Sequence, residues 1–245
     1  MPVSESNPPR SEDTGKPSSC WKFLRYFIHE VRTPLNAVHG FTELLKDETD
    51  PQELDLGIER IKRNAYALEE LIGQAAEMVY LEDGVYQFSF RRFNPADILR
   101  QVESKALESA GKKGIRFHLT LPPDSPALFT DEHRLRQVLD QLVGNAIRWT
   151  ESGVVSLELK SSQDGGARFI LNDTGHGISE DDLQRLKTTS NEAGDDPFPR
   201  ISGGLALIVA RRMLELMDLT FMIDSQLGSG TRIWFDVPPR DDFTS

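Results

Sequence analysis

Apolar residues recur at alternating spacings of four and three along two segments near the start of the chain. The first series runs over residues 20–45 and the second over residues 54–79. This alternation is a heptad repeat, which is typical of helices that pack side by side as in a coiled coil. Between the two series, Asp50, Pro51 and Glu53 supply an N-cap, a proline in the first helical turn and a capping-box acid. The pattern therefore predicts a helical hairpin.

Each predicted helix carries only a narrow apolar stripe, so one hairpin alone buries little surface. We expect two copies to complete a homodimeric four-helix bundle. Pro34 lies inside the first series and predicts a kink, because proline lacks the backbone N–H of a helix interior. Residues 1–18 are rich in Ser, Pro and Glu and contain almost nothing apolar, which predicts a disordered segment. The hairpin is then expected over residues 19–84.

Beyond residue 84, short helix and strand patterns alternate. Helices are predicted at about 95–110, 131–149, 179–187 and 205–217. Strands are predicted at 115–121, 153–160, 167–172, 220–224 and 230–237, with a hairpin turn at 164–166. Strands interleaved with helices indicate an α+β fold, so we expect residues 85–245 to form an α/β sandwich.

Composition excludes several classes of protein. The chain has 245 residues, and 28 basic against 39 acidic residues give a net charge of −11. A chain this acidic repels a phosphate backbone, so we expect no nucleic-acid partner. Cys20 is the only cysteine, which excludes a disulfide scaffold. No apolar run approaches the roughly 20 residues of a membrane span. We therefore expect a cytoplasmic protein with no membrane segment in this chain.

One histidine lies on the polar side of the first predicted helix. At about 100° per residue, His29 lies about 180° from the centre of the apolar stripe, with Glu30 next to it. A lone histidine on a helix is usually a solvated side chain. An exposed neutral imidazole is also what a phosphoryl acceptor requires, and Glu30 could orient its second nitrogen or accept its proton.

The residues around this histidine favour the phosphoryl acceptor. Residues 27–36, Phe-Ile-His-Glu-Val-Arg-Thr-Pro-Leu-Asn, resemble the phosphoacceptor box of the sensor histidine kinases of two-component systems. The resemblance implies that His29 is autophosphorylated, that Glu30 is the base, and that Thr33 helps to position water when a response regulator is dephosphorylated. It also implies two partners, a second copy of the chain and the receiver domain of a response regulator.

The rest of the chain resembles the ATP-binding domain of the same family, which has the Bergerat-type fold. Residues 131–150 are similar to its asparagine box. The resemblance implies that Asn145 binds Mg²⁺ through its amide oxygen and that Arg148 faces the phosphates of ATP. Asn145 lies among apolar residues of a helix, where an amide is costly without a partner, and this also favours a functional role.

Two glycine-containing motifs complete the resemblance. Residues 173–178, Asp-Thr-Gly-His-Gly-Ile, match the first glycine box of the family. They imply that Asp173 accepts a hydrogen bond from the adenine amino group. They also imply that Gly175 and Gly177 adopt positive φ and let the backbone approach the base closely. The second glycine box corresponds to residues 202–207, where three residues are expected to present helix N-terminal amides to a phosphate: Gly203, Gly204 and Leu205.

Departures from the family pattern leave two functions open. Ser202 and Ala206 stand where the family has glycine, and Asp195 and Asp196 bring negative charge that repels phosphates. The first function is an active kinase that uses ATP and Mg²⁺ to phosphorylate His29 and passes the phosphoryl group to an aspartate. The second is a dimeric phosphotransfer or regulator-binding protein with little ATP turnover. The retained asparagine box and first glycine box favour the kinase.

Overall fold

The chain begins with a hairpin of two long helices. The computed structural model describes residues 19–84, 87–187 and 203–239. Helix α1 (Ser19–Leu44) and helix α2 (Pro51–Glu82) cover the two heptad series, so the predicted hairpin is confirmed. Helix α1 continues through Pro34 without a break. The segment predicted to be disordered, residues 1–18, lies outside the described residues.

Side chains cap the start of the second helix. Asp50 is the N-cap of α2, and its carboxylate accepts a hydrogen bond from the backbone N–H of Gln52 at 2.9 Å. The N–H of Asp50 itself donates to Oε1 of Glu48 at 2.9 Å. In a capping box, Glu53 would accept the hydrogen bond from the N–H of Asp50. Here Glu48, two residues before the N-cap, accepts it instead.

The remainder of the described chain forms the sheet domain, residues 90–237. Its elements, in chain order, are β1 (Phe90–Phe93), α3 (Pro95–Lys113), β2 (Arg116–Thr120), β3 (Leu128–Asp131), α4 (Glu132–Trp149), β4 (Val154–Ser161), β5 (Ala167–Asp173), α5 (Glu180–Lys187), α6 (Gly204–Leu216), β6 (Met222–Gln226) and β7 (Gly230–Val237). The main sheet has the order β2-β4-β5-β7-β6, in which β2 pairs with β4 in parallel and the other neighbours are antiparallel. Strands β1 and β3 form a separate antiparallel pair.

One face of the main sheet is buried beneath the helices. Alternate residues of β4, among them Val155, Leu157 and Leu159, are at most 2% exposed, as expected for a strand with one covered face. Phe169 and Phe235 stack between β5 and β7 with ring centroids 4.9 Å apart. Helix α4 lies against β4 and β5, and it also contacts α3 and α6. This arrangement confirms the predicted α+β fold with an α/β sandwich.

The hairpin rests on the sheet domain mainly through residues outside the heptad series. Tyr26, Glu30 and Pro34 are buried at intervals of four along α1, and α2 contacts α6. Residues of the heptad series remain partly exposed, including Leu24 at 40% and Ile72 at 60%. The four-helix bundle and the exact division of the chain at residue 84 stay predictions. No helix among the described residues is both long and apolar enough to span a membrane.

Candidate functional site

His29 and Glu30 are neighbours in α1 with opposite exposure. The side chain of His29 is 70% exposed, as the helical wheel predicts, whereas that of Glu30 is 7% exposed. Successive residues of a helix point about 100° apart, so the imidazole faces solvent while the carboxylate faces the sheet domain. The distance from His29 Nδ1 to Glu30 Oε1 is 3.8 Å, which is longer than a hydrogen bond. A protonated imidazole at this distance is still attracted to the carboxylate.

The environment of Glu30 suits a base. Burial raises the pKa of Glu30 above its ordinary value, and the backbone N–H of Gly203, together with His29 and Arg148, offsets part of that rise. A carboxylate with a raised pKa has a greater affinity for a proton, so it is a more effective general base near neutral pH. The burial of this side chain was not expected from the sequence.

Tyr26 makes a second contact between α1 and the start of α6. Its side chain is 8% exposed, and its hydroxyl lies near the backbone of Leu205. Burial raises the pKa of this hydroxyl, so it remains neutral over the physiological range. Together with Glu30, Tyr26 holds the helix that carries His29 against the N-terminus of α6.

The last turns of α4 carry the residues of the asparagine box. The amide oxygen of Asn145 accepts a hydrogen bond from Nε1 of Trp149 at 3.0 Å. The guanidinium of Arg148 donates to Oε2 of Glu70 on α2 at 2.7 Å, and it lies over the Trp149 ring at 5.6 Å from the centroid. Asn145 thus has the partner that its position requires, and Arg148 is engaged by a carboxylate of the hairpin.

A lysine on a neighbouring helix fixes the end of α4. Nζ of Lys113 lies within hydrogen-bond distance of the carbonyl oxygens of Ile147, Arg148 and Thr150, at 2.9, 2.7 and 2.9 Å. These oxygens belong to a helix C-terminus, which carries partial negative charge and lacks intrahelical donors. Burial lowers the pKa of Lys113. Lys113 therefore holds in place the turn that bears Arg148 and Trp149.

Asp173 ends β5 and is held by the turn that follows it. Its Oδ1 accepts a hydrogen bond from the N–H of Gly175 at 2.8 Å. Burial raises the pKa of Asp173, while the N–H groups of Gly175 and Thr231 and the nearby His176 offset part of the rise. A carboxylate has about four acceptor sites, so Asp173 can accept a further hydrogen bond from the amino group of a ligand.

The two glycines of the first glycine box are required for different reasons. Gly177 has φ of 69°, and a Cβ there would lie 2.0 Å from the carbonyl oxygen of Gln226. Gly175 does not have the positive φ that was expected. A Cβ at Gly175 would instead lie 2.6 Å from the carbonyl oxygen of Trp149, so this glycine allows β5 to approach the end of α4.

Gly203 forms the N-cap of α6 in a left-handed conformation, with φ of 85°. A Cβ at Gly203 would lie 2.4 Å from Nε1 of Trp149 and 2.6 Å from Oδ1 of Asn145. Gly204 and Leu205 follow as the first residues of α6, and both are buried. No acidic residue lies in the first turn of α6, so its N–H groups are suited to an anion. Three predicted features, Ser202, Asp195 and Asp196, lie outside the described residues.

Two cavities connect these residues. The larger, of about 820 Å³, lies between the hairpin and the sheet domain, and its lining includes Glu30, Thr33, Asn145, Arg148 and Gly203. The smaller, of about 30 Å³, is lined by four residues predicted for the nucleotide, Asn145, Asp173, Gly177 and Gly203, together with Trp149. The structure therefore brings the predicted base and the predicted phosphate-binding groups to one cavity. His29 itself lines neither cavity.

Comparison with known families agrees with this geometry. The family model described as "His Kinase A (phospho-acceptor) domain" matches residues 22–84. The family model described as "Histidine kinase-, DNA gyrase B-, and HSP90-like ATPase" matches residues 130–241. The chain belongs to the sensor histidine kinases of two-component systems. The resemblance stated from the sequence motifs is thus confirmed at the level of the family.

Proteins of known sequence and of known structure are similar to this chain over most of its length. The sensor protein GacS of Pseudomonas syringae is 32% identical over 224 residues, which cover 88% of this chain and 24% of GacS. Full-length ShkA in complex with AMPPNP is 26% identical with a TM-score of 0.59, over 89% of this chain and 45% of ShkA. ThkA in complex with the response regulator protein TrrA has the same fold, with a TM-score of 0.64 at 20% identity over 89% of this chain and 61% of that one. The chain spans about a quarter of GacS.

A metal ion in this histidine kinase would have few protein ligands. Within the described residues, no group of three or more His, Cys, Asp and Glu side chains could hold a metal. Asn145 lines both cavities and offers an amide oxygen, which is the kind of ligand that Mg²⁺ prefers. The site therefore fits an ion whose other ligands are phosphate and water oxygens.

Sequence reasoning missed three residues of this histidine kinase site. Trp149 contacts Asn145 and lines both cavities, Lys113 holds the end of α4, and Glu70 binds Arg148. Trp149 directly follows Arg148, so its position in the asparagine box was the available signal. Lys113 and Glu70 are 35 and 78 residues from Arg148, and no local pattern indicates such contacts.

Proposed function

We propose that this chain is a histidine kinase core that binds ATP with Mg²⁺ and autophosphorylates His29. The observation that carries the proposal is the shared cavity, which is lined by Glu30 and Thr33 of the hairpin and by Asn145, Arg148 and Gly203 of the sheet domain. Family membership supports both halves of the activity, because one matched family is a phospho-acceptor domain and the other an ATPase. We propose residues 19–84 as the acceptor domain and residues 85–245 as the ATP-binding domain.

Residues of the sheet domain would hold the nucleotide. Asp173 would accept the adenine amino group, with Gly175 and Gly177 leaving room for the base. Arg148 and the N–H groups of the helix start, Gly203, Gly204 and Leu205, would bind the phosphates. Asn145 would hold Mg²⁺, which supplies charge neutralisation of the phosphate oxygens when bound.

His29 would act as the nucleophile. One ring nitrogen forms a bond to the γ-phosphorus of ATP while the bond from that phosphorus to the bridging oxygen breaks and ADP leaves with the electron pair. Glu30 accepts the proton from the other ring nitrogen, so the phosphorylated imidazole becomes neutral. Because His29 lines neither cavity, the transfer requires a sheet domain, from the same chain or from the partner copy, to take a different position against α1.

The proposed acceptor of the phosphoryl group is an aspartate in the receiver domain of a response regulator. The phosphoryl group would pass directly from the ring nitrogen of His29 to the aspartate. Thr33, which is exposed on α1, would position the water that dephosphorylates the regulator. The exposed heptad residues support a homodimer as the assembled form. The complex of ThkA with its regulator shows the same fold in a protein with such a partner.

The alternative is a dimeric phosphotransfer protein with little ATP turnover. Two observations support this alternative. The smaller cavity has a volume of only about 30 Å³, and Ala206, at the larger cavity, replaces a glycine of the family pattern. Phosphotransfer would still use His29 and Glu30, but the phosphoryl group would come from another phosphorylated protein instead of ATP.

Labelling with γ-phosphate-labelled ATP tests the proposal. A phosphorylated imidazole is expected to keep the label in base and to lose it in mild acid. His29→Ala should abolish labelling, whereas His39→Ala, ten residues further along the same helix and also exposed to solvent, should retain it. Acid-stable label, or label retained in His29→Ala, would contradict the mechanism. ATP binding without any label would favour the alternative.

A further inference from the structure

Two groups that the proposed site assigns to phosphate are engaged by carboxylates of the hairpin. Nη1 of Arg148 donates to Oε2 of Glu70 at 2.7 Å. The backbone N–H of Gly203 interacts with the carboxylate of Glu30, which is 7% exposed. All four residues line the cavity of about 820 Å³. Carboxylates and phosphates present similar anionic oxygens to a guanidinium or a helix N-terminus, so one can take the place of the other.

We propose that Glu70, with Glu30, occupies the phosphate-binding groups of the sheet domain and competes with ATP for them. The inference rests on the proposed function, because it takes Arg148 and Gly203 to be phosphate ligands. A single backbone N–H has one proton to donate, so Gly203 cannot serve Glu30 and a phosphate at once. The guanidinium of Arg148 has five N–H donors, but the carboxylate of Glu70 neutralises part of its charge and holds it toward α2. Glu70 is thus a residue of the hairpin that lowers the affinity of the sheet domain for ATP.

Two other contacts between α2 and the sheet domain do not involve phosphate-binding groups. Glu82 of α2 pairs with Arg212 at 3.1 Å, and Glu77 of α2 binds Gln137. These contacts hold α2 against α4 and α6 without using a group that is assigned to the nucleotide. Glu82 is therefore a matched control for Glu70, because it is also a half-exposed glutamate of α2 in an ion pair with the sheet domain.

The test measures affinities of the full chain for ATP and for adenosine by calorimetry in the presence of Mg²⁺. Glu70→Gln should tighten ATP binding about two- to fivefold, the range expected for the loss of one exposed ion pair. Adenosine has no phosphates, so its affinity should not change. Glu69→Gln makes the same charge change at the exposed neighbour and should leave both affinities unchanged, as should Glu82→Gln.

The possible outcomes separate this inference from the proposed function. If wild type binds ATP and Glu70→Gln binds it equally well, the competition is overturned and the proposed nucleotide site stands. Equal gains in Glu70→Gln and Glu82→Gln would also overturn it, because they would assign the effect to separation of the domains. If neither wild type nor any variant binds ATP, the proposed function fails and the inference fails with it.

Discussion

Trp149 donates its indole N–H to the amide oxygen of Asn145, one turn earlier in α4, at 3.0 Å. The oxygen that is proposed to hold Mg²⁺ therefore has an intramolecular partner. The same indole packs edge-on against His176, with ring centroids 5.2 Å apart, and leaves no room for a side chain at Gly203. Trp149 consequently joins the asparagine box, the first glycine box and the start of α6.

Trp149→Phe should make the Asn145 oxygen more available to Mg²⁺. Phenylalanine keeps an aromatic ring at this position but has no N–H to donate, and a neutral hydrogen bond contributes about 0.5–1.5 kcal/mol. We expect ATP affinity in the presence of Mg²⁺ to rise by about two- to tenfold. Titrations with and without Mg²⁺ measure this effect. A gain that is equally large without the ion would contradict the role of the hydrogen bond.

Glu30→Gln should increase stability while it slows the reaction. Burial raises the pKa of Glu30, so the carboxyl group contributes stability below its ordinary pKa, and that contribution is lost as pH rises through the raised value. Glutamine carries no charge and still offers an oxygen to Gly203. The variant should therefore melt at a higher temperature than wild type near pH 7–8 and at a similar temperature in acid.

The same variant tests the base directly. Loss of a general base typically costs on the order of 10²–10⁴-fold in rate, so labelling of His29 should slow by that range while ATP binding persists. Glu43→Gln, at an exposed position of the same helix, should change neither the pH dependence of melting nor the rate. Unaltered labelling in Glu30→Gln would show that another group takes the proton.

The sequence predicted the elements better than it predicted their contacts. Heptad series, caps and alternating strands placed nearly every helix and strand within a few residues. Strands β1 and β3 were missed because each has four residues and they pair with each other outside the main sheet, where no long alternation develops. The buried face of α1 was missed because Tyr26 and Glu30 are polar residues whose burial depends on distant partners at the start of α6.

For the site, the sequence motifs indicated the residue types but not their surroundings. The pattern identified Asn145 and Arg148 because their spacing along α4 is local. It could not indicate that Glu70, 78 residues away from Arg148, forms an ion pair with it. The expected positive φ of Gly175 was wrong for a similar reason, since the requirement for glycine comes from the carbonyl of Trp149 in another element.

Asp173→Asn should weaken the binding of adenine nucleotides and reduce the selectivity for them. The carboxylate accepts from the adenine amino group, whereas an amide can turn its own N–H groups toward the base. Guanine has an acceptor oxygen where adenine has the amino group, so the substitution should penalise ATP more than GTP. We expect ATP affinity to fall about 10- to 100-fold, the effect of losing a hydrogen bond to a charged group. Competition titrations with GTP measure the ratio, and an unchanged ratio would contradict the assignment of Asp173.

Ile72→Asp should dissociate the proposed homodimer without unfolding the chain. Ile72 belongs to the second heptad series and is 60% exposed in the single chain, so a charge there is tolerated by the monomer. In a four-helix bundle the same side chain would be buried against the partner, where an unpaired carboxylate is costly. Each copy would also lose about 1.5–3 kcal/mol of apolar burial. The dimer dissociation constant should therefore rise by at least about 100-fold, because each dimer contains two copies of the substitution.

Sedimentation at micromolar concentration distinguishes the dimer from the monomer, and circular dichroism checks that the helices remain. Leu227→Asp is the matched control, because Leu227 is 67% exposed but lies in the turn between β6 and β7, away from the hairpin. It should leave the dimer intact. A wild-type chain that sediments as a folded monomer would contradict the bundle. So would an Ile72→Asp variant that stays dimeric, because the heptad stripe would then not form the interface.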